Sequence, residues 1–100
     1  MTTFDPDLPH RCSPSVALRP EPFGALAYHF GTRRLSFLKT PELVELVTAL
    51  GDHTDVRTAL AASPVPRAQH GAYLAALAGL LEAGTIEPAD PSSTSDGAAR

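Results

Sequence analysis

The sequence predicts an α+β domain: a three-stranded antiparallel sheet followed by three helices. Two observations carry that prediction. Apolar residues recur at every second position in the first half of the chain and at every third or fourth position in the second half. Gly or Pro closes most of the periodic runs, which separates the elements from one another.

The strands come first. Residues 15–19, SVALR, put Val16 and Leu18 on one face. After a break over residues 20–24, residues 25–30, ALAYHF, set Leu26, Tyr28 and Phe30 against Ala25, Ala27 and His29. Gly31-Thr32 reads as a two-residue type II′ turn, because glycine leads the pair. Residues 34–38 form the third strand, with Leu35 and Phe37 facing one way and Arg34, Ser36 and Leu38 the other.

The helices follow. Thr40-Pro41-Glu42 is a strong start: the Thr40 hydroxyl accepts from a free N–H, Pro41 has no N–H to leave unpaired, and Glu42 suits the positive end of the dipole. Leu43, Val44, Leu46, Val47 and Leu50 form its buried stripe, and Gly51 ends it. A second helix is expected over residues 54–62, using Val56, Ala59 and Leu60. A third runs from Pro66 to Gly84, its core face made by Tyr73, Leu74, Leu77, Leu80 and Leu81. Helices that follow a finished meander have no strands to cross between, so they pack as a layer on one face of the sheet.

The ends differ in character. Residues 1–14 hold prolines and no periodicity, and read as an extended flexible arm; residues 88–100 are small, polar and aperiodic, and read as a disordered tail. The folded domain is therefore expected over residues 15–87.

Composition narrows the function. The 100-residue chain carries a net charge of −3, which disfavours a polyanion as its main partner. One cysteine allows no internal disulfide and fits a reducing compartment. The start, MTTFDPDLPHRC, is unlike a signal peptide, and no apolar run approaches the ~20 residues of a membrane span. A cytoplasmic protein that contacts neither nucleic acid nor membrane is the expectation. The four histidines are scattered, and His10 with Cys12 gives only a lone H-x-C. His70 reads as a half-buried structural residue, and Asp52 and Asp55 as helix caps. No catalytic, metal or cofactor constellation emerges.

The third strand is the informative element. Arg33 and Arg34 precede it, Lys39 follows it, and its middle is apolar. Two readings fit. In one, Leu35 and Phe37 belong to the core and the cations keep the edge soluble. In the other, the edge accepts an extended peptide by β-augmentation. Ala72, Ala76, Gly79 and Ala83 add a stripe of small residues on the third helix, which lets another backbone approach or packs within the domain. A DNA-binding regulator is the alternative from a different class. Its recognition helix would need basic residues, and the third helix carries none after Arg67 except His70.

Residues 16–50, VALRPEPFGALAYHFGTRRLSFLKTPELVELVTAL, resemble the family of peptide chaperones of mycofactocin biosynthesis, within the PqqD-like recognition elements for ribosomally made, modified peptides. The RPEPFG and RRLSFLK runs are the specific parts, and YLAALAGLLEAGTIEP agrees with the family's last helix. The resemblance implies a winged helix-turn-helix. It implies a monomeric, non-catalytic adaptor that holds the leader of a short precursor peptide against the third strand and presents it to a radical S-adenosylmethionine maturase. The iron–sulfur clusters of that reaction belong to the maturase. Carried onto this chain, the peptide-binding residues are Arg33, Arg34, Leu35, Ser36, Phe37 and Leu38, with Tyr73, Ala76 and Leu77 on the helix.

Overall fold

The structure is a computed structural model that describes residues 4–89. Three strands, β2 (Val16–Glu21), β3 (Gly24–His29) and β4 (Leu35–Leu38), form an antiparallel sheet in the order β2-β3-β4. They are preceded by β1 (His10–Cys12) and followed by α1 (Pro41–Ala49), α2 (Val56–Ala62), α3 (His70–Ala83) and β5 (Ile86–Pro88). The α+β class and the order of three strands then three helices are as the periodicity indicates.

Each helix begins and ends for a local reason. The Thr40 hydroxyl accepts from the Leu43 N–H at 3.1 Å at the start of α1. The Asp55 carboxylate accepts from the Thr58 N–H at 2.7 Å at the start of α2, and this backbone bond holds its pKa below the usual carboxylate value. Gly84, left-handed at φ 82°, closes α3 by donating to Leu80 and Leu81. His70 is half-buried, its Nε2 3.0 Å from the Val65 carbonyl oxygen.

The helices cover one face of the sheet. Ala25 and Ala27 of β3 and Leu38 of β4 point into that face and are buried. The methyl groups of Ala25 and Ala27 let α1 lie close, and Leu38, Leu43, Leu46, Val47, Leu50, Leu60 and Leu77 fill the space. Burying each Leu contributes about 1.5–3 kcal/mol. Gly24 admits the close approach of the backbone at the end of β4, since a Cβ there would collide with the Leu38 carbonyl.

Two expectations are corrected. The stretch read as a free arm is fastened to the domain: β1 pairs antiparallel with β5, from His10↔Pro88 to Cys12↔Ile86. The Pro6 carbonyl accepts from Val56 and Arg57 at the start of α2, and Arg57 meets Asp7 at 2.7 Å. Burial of β1 between these elements, with Glu87 nearby, pushes the Cys12 thiol pKa up. Pro88 likewise lies in a strand, and Ala89 donates to the Pro9 carbonyl at 2.9 Å; the remainder of the expected tail, residues 90–100, lies outside the described residues. The physical reason is that the backbone groups flanking buried Ile86 find their partners in the N-terminal segment, where Ser13 also donates to the Thr85 carbonyl at 2.9 Å.

The β3–β4 connection is also longer than a two-residue turn. His29 donates to the Arg34 carbonyl and accepts from the Arg33 N–H, so residues 30–33 form the loop. The left-handed residue is Arg33, at φ 62°, rather than Gly31. His29 Nδ1 accepts from the Gly31 and Thr32 N–H groups at 3.0 and 3.1 Å, organising the loop from its own strand.

Candidate functional site

β4 lies at one edge of the three-stranded sheet. Because His29 donates to Arg34, that pair is a hydrogen-bonded one, and alternation makes Ala27–Ser36 and Ala25–Leu38 bonded as well. The backbone N–H and C=O groups of Leu35 and Phe37 therefore point away from β3, toward the open side. The opposite edge differs. Phe30 donates to Ser15, so in β2 the outward-facing residues are Val16, Leu18 and Pro20, and Pro20 has no N–H to offer.

Beside the β4 edge lies a hollow of about 400 Å³, lined by Phe37, Lys39, Thr40, Leu43, Ala72, Tyr73, Ala76, Gly79 and Leu80. Its openness follows from α3. Residues 72, 76 and 79 share one helical face and carry at most a methyl group. A Cβ built on Gly79 meets nothing within 4 Å, so the space above it is free. Tyr73 is held in the wall by its hydroxyl, 2.7 Å from Thr40 Oγ1. The Thr40 hydroxyl thus starts α1 and anchors the groove.

The β4 edge is flanked by cations. Arg33, Arg34 and Lys39 are exposed and form no ion pair among the described residues, whereas Arg11, Arg19 and Arg57 each have a carboxylate partner. Three free cations gather at this edge of a chain whose net charge is negative.

The expected site residues fall into three groups. Phe37, Tyr73 and Ala76 line the hollow, and Arg33, Arg34 and Leu35 are exposed on β4 and the loop before it. Ser36 is half-buried and turned inward, its Oγ accepting from the Thr85 hydroxyl at 3.1 Å. Leu38 and Leu77 are fully buried in the core and do not reach the groove. The choice between core and surface for the other face of β4 is settled: Leu35 and Phe37 are 61% and 58% exposed. Sequence reasoning missed Thr40, Leu43 and Leu80 as lining residues. Thr40 was legible as a cap, but its link to Tyr73 spans 33 positions and has no local signal.

Among the described residues, no group of three or more His, Cys, Asp or Glu is placed to hold a metal ion. No helix among them is long and apolar enough to cross a membrane.

Comparison with known proteins gives the family. Residues 9–87 match the model of the Peptide chaperone MftB family. The chain belongs to that family. Proteins named peptide chaperone MftB resemble it in Mycolicibacterium smegmatis, at 53% identity over 89% of this chain and 87% of the relative, and in Mycobacterium ulcerans, at 51% over 85% and 78%. The Mycobacterium tuberculosis relative of the same name is 47% identical over 85% of this chain and 78% of its own. No solved structure matches. The family is one of peptide chaperones, which hold a peptide and catalyse nothing themselves. Its match begins at residue 9, so it takes in β1 as well as the sheet and helices.

Proposed function

We propose that this chain takes up the leader of a short ribosomal precursor peptide as an additional strand beside β4. As a cytoplasmic, monomeric adaptor it presents that peptide to a radical S-adenosylmethionine maturase in mycofactocin biosynthesis. The observation that carries this reading is the β4 edge, unpaired among the described residues, beside an apolar hollow. A guest backbone there pairs with Leu35 and Phe37 while its side chains enter the hollow against α3. Each main-chain bond contributes a net of about 0.5–1.5 kcal/mol, and the apolar lining adds roughly 25 cal/mol for each Å² it removes from water. Arg33, Arg34 and Lys39 are exposed, so pairs with acidic leader residues add only ~0–1 kcal/mol each. Their part is orientation and association rate.

A nucleic-acid role finds less support. The open face of α3 presents Ala72, Ala76 and Gly79, which offer no donor to a phosphate or a base edge. The test is calorimetry with the precursor peptide, with and without the maturase. Peptide bound without the enzyme supports the adaptor. Binding to the enzyme alone makes the chain a permanent subunit, and a strongly salt-dependent duplex-DNA shift makes it a regulator.

A further inference from the structure

A guest strand beside β4 alternates its side chains like any other strand. One set turns toward α3, and the other stands on the outer face of the sheet beside Leu35 and Phe37. Antiparallel sheets commonly turn a polar face to water, but this outer face is aromatic. Phe23 and Phe37 meet edge-on with centroids 6.2 Å apart, and Phe23 is 43% exposed. With Glu21, Leu26 and Lys39 they line a second hollow of about 550 Å³. Phe37 and Lys39 line both hollows, so the two adjoin at the β4 edge. Glu21 is occupied by Arg19 at 3.1 Å, which leaves Lys39 free for an incoming carboxylate.

We infer that the outer hollow is a second subsite for the same guest, taking a large apolar side chain from the residue adjacent to the one that enters the α3 groove. The inference rests on the strand-addition reading above. It gives the guest a chemical class: an extended segment with neighbouring bulky apolar residues, flanked by acidic ones. β4 is four residues long, Leu35–Leu38, about 13 Å of strand, so the segment read is roughly four residues long, with Arg33 and Lys39 beyond its two ends. Arg33 reinforces the argument for charge. Its left-handed backbone favours glycine or asparagine, yet the position carries a guanidinium at the end of the edge.

The experiment uses a synthetic peptide with the leader sequence of the precursor, together with its single-alanine variants. These are titrated against the full chain, Phe23→Ser and Ala76→Leu. Phe23 lines only the outer hollow and Ala76 only the groove. The expected result is two adjacent peptide positions sensitive to alanine, each costing roughly tenfold in affinity. Phe23→Ser should weaken the parent peptide by a similar factor and silence one of those positions, while Ala76→Leu silences the other. Sensitive positions that only alternate, with Phe23→Ser binding normally, overturn the outer subsite and leave the strand-addition reading standing. Unchanged binding in Ala76→Leu overturns that reading itself. The alanine series on the unmodified protein separates adjacent from alternate positions even where a variant is unstable.

Discussion

Replacing one residue of β4 by proline distinguishes the two directions in which its backbone points. At Phe37 the N–H faces outward, and proline there removes a donor that the sheet itself does not use. The preceding residue, Ser36, is already extended, as a residue before proline must be. Phe37→Pro should therefore cost the free domain less than ~1 kcal/mol, the range of edge positions. For the guest it removes one main-chain bond and leaves a peptide carbonyl unsatisfied beside the groove, about 1–3 kcal/mol, or roughly 5- to 150-fold in affinity. Phe37→Ala is the control for the lost ring. Ser36→Pro should behave oppositely. It breaks the bond to Ala27 within the sheet and removes the acceptor of the buried Thr85 hydroxyl, so the fold suffers first. Calorimetry with the precursor peptide, beside thermal melts of the four proteins, reads both effects. If folded Phe37→Pro binds as tightly as Phe37→Ala, main-chain pairing at this edge is wrong.

Three further outcomes are expected. Arg33→Gly relieves a left-handed backbone and should leave the melting temperature equal or higher, by up to about 1 kcal/mol of stability, while slowing peptide association in stopped-flow mixing. Removing residues 1–12 should lower the melting temperature by roughly 10 °C, since β1 is then missing beside the buried Ile86; an unchanged melt would mean that the segment is a free arm after all. The folded pKa of Asp55 lies below the 3.8 of a free Asp carboxyl, so its cap contributes fully above that value and is lost as pH falls through the lower folded one. The stability difference between the wild type and Asp55→Asn should accordingly shrink only below pH 3.8, as followed by thermal melts across the acid range.

Much of the fold was legible because its signals are local. Thr40-Pro41, Asp55 and Gly84 mark helix ends through bonds that span only a few residues. The alternation of residues 25–28 and 35–38 gave the strands, and the antiparallel order followed from their short connections. What alternation could not decide was which face goes inward. The larger side chains, Leu26, Tyr28, Leu35 and Phe37, lie on the outer face, and the inner face takes Ala25, Ala27 and Leu38 because α1 packs closely there. Residues that meet across the whole chain were also out of reach. The β1–β5 pairing joins residues 10–12 to 86–88, and neither segment has enough length to show a period. At the candidate site, exposed Arg33, Arg34, Leu35 and Phe37 and the small stripe of α3 were readable, whereas Leu77 was misassigned because a periodic helix face does not reveal where its core side ends.

The central claim is that the outward N–H and C=O groups of Leu35 and Phe37 receive a guest backbone. The direct measurement is nuclear magnetic resonance of the labelled chain with the labelled precursor peptide, observing contacts between amide and α protons. Cross-strand contacts from the peptide to Leu35 and Phe37, with slowed exchange of those two amides, are the predicted result. Peptide contacts confined to β2 or α2, with the Leu35 and Phe37 amides exchanging as in the free protein, would contradict it.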